Sequence, residues 1–222
     1  MSGHLREGDL PRVVLLSDRE GTARFQMDRD REILGRPSLW RRPLLRLYRI
    51  RSGVTVGRSW AGTPPPEWPL PEEGVVVRPT GGGAVLHGTD LCLSLFIPWR
   101  DDFPRGQDWP EFYGRLHGWL GEALAAWGIP STESLDCQCP PVATANTPPG
   151  GACFSEPVRG DLMSDGKKIL GGALALGREG LLYQGSIAPP EPDPLLSGLF
   201  EGWYGHGGEK TLSALLFFRG KE

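Results

Sequence analysis

Three consecutive glycines, Gly81, Gly82 and Gly83, separate two apolar runs, Val75–Val77 and Ala84–Leu86. The second run closes on His87, and a third apolar run, 91–98, begins soon after. Connections this short leave no room for a helix, so the spacing predicts three strands joined as a meander. A nucleotide-phosphate loop is excluded by the same spacing. The Walker loop and the dinucleotide fingerprint both lead from a strand into a helix, whereas this run leads into another strand. Glycine reaches positive φ without strain and carries no Cβ, so a ligand can lie against the backbone itself. A run of three exceeds what a plain hairpin needs. An ordinary hairpin loop is one reading; a loop whose N–H groups face a ligand is the functional one. His87 is either a structural strand-end residue or the group that anchors the loop or a substrate.

The remaining chain reads as strands, a helix, then more strands. Residues 13–17 form a short apolar strand, and 24–34 form a helix that offers Phe25, Met27, Ile33 and Leu34 to the core. Residues 44–50 alternate like a half-buried strand, with 54–57 as its neighbour across a turn at Arg51–Gly53. The proline-rich 61–74 is a surface loop. Asp108 is a good N-cap with Glu111 at the capping-box position. Behind it Phe112, Leu116, Trp119, Leu120, Ala123, Leu124 and Trp127 recur at helical spacing until Gly128. Residues 129–151 are irregular; 152–154, 160–165, 167–176 and 180–187 read as strands, with a hairpin at Asp165–Gly166. This order predicts an α+β fold: one domain over residues 1–222, a mixed β-sheet with packed helices, and no C-terminal accessory domain.

A net charge of −3 offers nothing for bulk binding to nucleic acid or a membrane. The N-terminus lacks the apolar core of a signal peptide, and no apolar run approaches the roughly 18 residues of a membrane span. The expected location is cytoplasmic. Arginines 41, 42, 46, 49, 51 and 58 crowd one stretch, as a solvated strand face or a docking surface for an acidic partner. Four cysteines do not make a disulfide framework. Cys137 and Cys139 have metal-ligand spacing, but two further ligands are wanting, and no metal is expected.

A second constellation runs from Cys153 through Asp161 to the strand that opens Lys167-Lys168-Ile169-Leu170-Gly171-Gly172-Ala173. Neighbours on a strand face opposite ways, so Lys168 points inward while Lys167 points to solvent. A buried ammonium there polarises a carbonyl, neutralises a phosphate or lowers a thiol pKa, and Cys153 is the candidate thiol; alone, it reads as an inert core cysteine.

Arg78-x-Thr80-Gly81-Gly82-Gly83-x-Val85-x-His87, followed by Gly166-Lys167-Lys168-Ile169-x-Gly171, resembles the superfamily of lipoate–protein ligases and octanoyltransferases, which includes biotin–protein ligases. Met27 to Asp30, the stretch 44–60 and Leu181 to Ile187 fall where that superfamily has further motifs. The resemblance implies a biotin/lipoate-ligase catalytic-domain-like fold. It implies catalytic roles for Cys153 and Lys168, and substrate binding by Arg78, Thr80, the three glycines, His87, Gly171, Gly172 and Ala173. Arg78 would lie near the anionic part of the ligand, and peptide N–H groups around Gly82 and Gly83 would hold an oxyanion. The implied acceptor is the lysine of a lipoyl carrier domain, in glycine cleavage H protein or a 2-oxoacid dehydrogenase E2. Placement of Cys153 fifteen residues before Lys168 resembles the cysteine-dependent octanoyltransferases, which take octanoate from acyl carrier protein through a thioester and need no cofactor. The alternative is a ligase that uses ATP and Mg to form lipoyl-adenylate; a non-catalytic carrier-binding or acyl-binding paralogue is the third. Three positions depart from the octanoyltransferase pattern. Gly83 is ligase-like, Val77 replaces the first of paired arginines, and Leu174 stands where the family has a polar residue.

Overall fold

The computed structural model describes residues 12–36, 42–60, 64, 68, 72, 74–99, 108–126, 128–134, 157–188 and 209–211. In chain order the elements are β1 (Arg12–Ser17), α1 (Ala23–Gly35), β2 (Leu44–Tyr48), β3 (Gly53–Val56), β4 (Val75–Val77), β5 (Val85–His87) and β6 (Leu91–Pro98). Then come α2 (Trp109–Ala126), β7 (Thr132–Glu133), β8 (Leu162–Ser164), β9 (Lys167–Leu176), β10 (Gly180–Ile187) and β11 (Glu209–Thr211). An eight-stranded sheet runs β11-β1-β2-β6-β10-β9-β8-β7, and a three-stranded sheet runs β4-β3-β5. Both mix parallel and antiparallel pairs, as β1 with β2 and β3 with β4 are parallel. The fold class is α+β, as the sequence predicts.

Two expectations about pairing fail. β3 is not the neighbour of β2, which pairs with β1 and β6 in the large sheet. Nor do 75–98 form a meander: β3 inserts between β4 and β5, and β6 joins the large sheet. Short spacing makes adjacent strands easy to connect but does not stop an earlier strand from pairing with both. The chain from β4 to β5 therefore crosses the end of β3. Arg78 N donates to Val56 O at 2.7 Å and Arg58 N to Thr80 O at 2.9 Å.

β2 is buried at all five positions rather than half-buried, because both faces of the large sheet are covered. Directly paired residues share a face. Leu45, Leu47, Leu93, Leu95, Leu181 and Tyr183 thus lie on one side, in one core cluster with Tyr113, Leu116 and Leu124 of α2. Each fully buried leucine contributes about 1.5–3 kcal/mol. The alternate residues Arg46, Tyr48, Cys92, Ser94, Gln184 and Ser186 share the other side. There, Tyr48 and Cys92 cluster with Ala23 and Met27 of α1.

α1 begins where Thr22 accepts the Phe25 N–H at 3.2 Å. Its buried residues are Ala23, Gln26, Met27, Asp30 and Ile33, and this stripe leaves Phe25 51% exposed, outside the core expected for it. α2 starts as predicted, with Glu111 N donating to Asp108 Oδ1 at 3.0 Å, and Gly128, just past its end, has φ +84°. Asp165 and Gly166 both have positive φ, as a two-residue hairpin requires. The proline-rich stretch 61–74 and the expected strand 152–154 lie largely or wholly outside the described residues. No helix among the described residues is long and apolar enough to cross a membrane.

Candidate active site

A cleft opens between the small sheet and the polar face of the large one. Thr55, Arg78, Gly82, Val85 and His87 line one wall, Gly171, Gly172, Ala173, Gln184, Gly185 and Ser186 the other, with Met27, Tyr48 and Cys92 completing it. The space between the walls, including its open mouth, is about 410 Å³.

The glycine loop is held as a piece of wall. Arg78 Nη2 donates to Gly81 O at 2.9 Å and to Gly83 O at 2.8 Å, and Nη1 donates to Thr55 Oγ1 at 2.9 Å. Arg78 therefore braces the loop. Because peptides are planar and trans, the Gly82 N–H points away from that guanidinium. Gly82 has φ +91°, which disfavours any side chain there, and an added Cβ would stand 3.2 Å from Arg78 Nη2. Thr80 is fully buried, outside the cleft lining, and donates to Gln184 Oε1 at 2.6 Å.

Gln184 leads to the largest buried polar network described. Its Nε2 donates to Asp30 Oδ2 at 2.6 Å; Ser94 Oγ and Arg46 Nη1 donate to Asp30 Oδ1 at 2.8 and 2.6 Å. Arg46 and Asp30 are both fully buried. Arg46 also reaches the Gln26 side chain and Asp18. The basic stretch is thus neither a uniformly solvated face nor a uniform docking surface, since its central arginine is core.

His87 ties strands together instead of touching the glycine loop directly. Nε2 lies 2.7 Å from Thr55 Oγ1 and Nδ1 lies 2.8 Å from Asp90 Oδ2. Asp90 Oδ2 also accepts from Ser186 Oγ at 2.5 Å and from Cys92 Sγ at 3.2 Å. Burial works to raise the Asp90 pKa, but His87 and the hydrogen bonds from Ser186 and Cys92 hold it down at about 2. Burial, then the Asp90 charge, push the Cys92 thiol well up.

Lys168 is buried and Lys167 exposed, as strand alternation predicts. Its ammonium rests 2.7 Å from Asp161 Oδ2, in space that Gly171 leaves open: a Cβ there would stand 2.2 Å from Lys168 Cε. Asp161 also accepts from Val158 N at 2.8 Å and from the Tyr113 hydroxyl at 2.7 Å. The pairing of β8 with β9 stops at Leu170, and beyond it the Gly172 N–H donates to Tyr113 Oη at 3.0 Å. Burial and the Asp161 charge raise the Tyr113 pKa well above its ordinary value, keeping the hydroxyl a donor. His117, one turn on, sits 2.7 Å from the Tyr183 hydroxyl; burial, aided by the Lys168 charge and opposed by the Gly160 backbone, lowers its pKa to about 3.

Of the residues singled out from sequence, Arg78, Gly82, His87, Gly171, Gly172 and Ala173 meet in the cleft lining. Gly81, Gly83 and Thr80 support the wall, and Lys168 sits behind Gly171. Cys153, Cys137 and Cys139 lie outside the described residues. Sequence reasoning gave no role to Thr55, Tyr113, Asp90 or Ser186, and treated Asp161 only as part of a run. An Asp161 seven residues before an inward lysine was the one signal available.

The match to a family model supplies the assignment. The model of the lipoyl protein ligase A/B catalytic domain covers residues 22–188. The chain belongs to this family. Octanoyltransferase LipM of Lysinibacillus sphaericus is 31% identical over 124 residues, 51% of this chain and 41% of the relative. LipM of Brevibacillus brevis is 32% identical over 120 residues, with the same coverage of each chain. The match thus spans about two fifths of the length of these curated relatives. Among solved structures, a lipoate-protein ligase A bound with ATP aligns at TM-score 0.58 and 21% identity, covering 85% of this chain and 70% of that one. A chain from the archaeal lipoylation system of Thermoplasma acidophilum, described as a bi-partite lipoate protein ligase and its E2 lipoyl domain, aligns at 0.52 and 16%, covering 90% and 74%. These two likenesses speak for the fold of the lipoyl protein ligase A/B domain.

Proposed function

We propose that this lipoyl protein ligase A/B domain moves an octanoyl group onto the lysine of a lipoyl carrier domain, through a thioester on Cys153. The observation that carries the reading is the cleft, walled by the Gly82 backbone on one side and by Gly171 to Ala173 on the other, with the Lys168 ammonium buried behind Gly171. The LipM relatives supply the acyl group. The Cys153 thiolate attacks the thioester carbonyl of octanoyl–acyl carrier protein, and the carrier's thiolate leaves. The neutral amine of the acceptor lysine then attacks the enzyme thioester; the Cys153 thiolate leaves, the nitrogen gives up a proton to that thiolate or to water, and an amide forms. The Lys168 ammonium would steady negative charge developing on the reacting carbonyl oxygen. No cofactor enters this route. The acceptor would be glycine cleavage H protein or a 2-oxoacid dehydrogenase E2 domain, in the cytoplasm, and the whole activity is proposed for the single domain 1–222.

The test is intact mass after mixing with octanoyl–acyl carrier protein, without ATP, for wild type and Cys153→Ser. An octanoyl adduct on the wild type alone supports the thioester route. No adduct, with lipoyl transfer once ATP, Mg and lipoate are supplied, makes the chain a ligase. Silence in both arms leaves a carrier-binding or acyl-binding protein without catalysis.

A further inference from the structure

His87 at the end of β5, Asp90 in the turn that follows and Cys92 near the start of β6 come from one short segment, and all three are buried. Their donor atoms converge. Nδ1 of His87 is 2.8 Å from Asp90 Oδ2; Sγ of Cys92 is 3.6 Å from that nitrogen and 3.2 Å from that oxygen. A nucleophilic triad is strung out, with the two imidazole nitrogens serving different partners. Here the thiol and the carboxylate meet the same nitrogen. A cluster of that shape cannot relay a proton from the thiol to the carboxylate through the ring, but it can chelate.

We propose that His87 Nδ1, Asp90 Oδ2 and Cys92 Sγ form a three-donor site for a thiophilic divalent cation of the zinc class. Bonds of about 2.0 Å to nitrogen and oxygen and about 2.3 Å to sulfur, at tetrahedral angles, place the donors roughly 3.3 Å (N to O), 3.6 Å (S to N) and 3.5 Å (S to O) apart. The S to N edge already matches, and the other two must open by about half an ångström at most. The charges match too: one carboxylate and one thiolate offset a dication, and the thiol proton is released on binding. Outer partners are in place. Thr55 Oγ1 holds His87 Nε2 at 2.7 Å, and Gly88 N donates to Asp90 Oδ1 at 3.2 Å. Metal-bound histidines and carboxylates are oriented in this way. The cleft, lined by His87, Cys92 and Ser186, gives the ion an entrance and leaves the fourth position to Ser186 Oγ or water.

The test is titration of chelator-stripped, reduced protein with Co²⁺, read by the near-ultraviolet charge-transfer absorption of a thiolate–cobalt bond. Expected is one equivalent bound, with the band bleached by Zn²⁺. Cys92→Ser abolishes the band, and Asp90→Asn weakens binding more than about a hundredfold, beyond the 10–100-fold typical of losing an outer-shell partner. The variant Cys137→Ser, Cys139→Ser, Cys153→Ser keeps Cys92 as its sole thiol and should keep the band. Loss of the band in that variant, or its survival in Cys92→Ser, overturns the site. The titration reads coordination alone and is indifferent to whether the chain transfers acyl groups.

Discussion

The two faces of the large sheet are built from alternate residues of the same strands, yet they hold by different physics. Under α2 the sheet is dominated by leucines and Tyr183, stabilised by apolar burial. Toward α1 and the small sheet it carries Arg46, Ser94, Gln184 and Ser186, stabilised by hydrogen bonds and the Arg46–Asp30 pair. The first face tolerates loss of shape at a graded cost. The second is cooperative, because removing one member leaves others buried without partners. The candidate site lies on the second face, and the two meet where Tyr113 reaches Asp161 and Gly172 from α2.

Asp30→Ala and Leu95→Ala set this contrast most sharply. Each should cost about 3–5 kcal/mol in urea unfolding, the first by stranding a buried charge and the second by leaving a cavity. Only Asp30→Ala should also impair acyl transfer in protein that remains folded, since Asp30 holds Gln184 and through it Thr80. Equal impairment by Leu95→Ala would erase the distinction between the faces.

His117 tests the polar point under α2. In the unfolded chain its imidazole takes up a proton below about pH 6.5, whereas in the fold it does so only at about 3. Stability is therefore complete above pH 6.5 and declines as pH falls toward 3, by on the order of 4 kcal/mol in total. His117→Asn should flatten that decline, and an unchanged slope between pH 6 and 4 would show that His117 is not held neutral.

Gly82→Val should abolish transfer while costing about 1–2 kcal/mol of stability, because a β-branched residue at φ +91° is strained. Normal turnover by this variant would mean that the loop is not a wall of the site. The smallest effect is expected for Thr80→Val, which loses one hydrogen bond to Gln184, worth about 1 kcal/mol. An effect on turnover far above its effect on stability would show that the loop's support, not only its backbone, is tuned for function.

Much of this was legible where the signal is local. The α2 cap at Asp108, the Asp165–Gly166 turn and the opposed directions of Lys167 and Lys168 follow from spacing alone, and they hold. Pairing was not legible. β3 reads as the partner of β2 because they are adjacent in sequence, but its neighbours are decided by which faces must be covered. Nor were the partners of the inward lysine, because Tyr113 lies 48 residues before Asp161 and carries no mark of its own among the apolar positions of α2. Arg46 illustrates the same limit: in a run of arginines it looks solvated, and only the fold supplies Asp30.

The glycine wall has one more property, set outside its own motif. A Cβ on Gly57 would fall 2.1 Å from Gly82 O and 2.5 Å from the Gly81 carbonyl carbon. Main chain thus rests on main chain, with no side chain between to be lengthened or trimmed. Such a contact is a fixed stop, so at Gly57 and Gly82 the bore of the cleft cannot be adjusted by ordinary substitution. Any retuning of its width has to act at the lining side chains, such as Val85, Ala173 and Met27, which provide a graded scale of sizes.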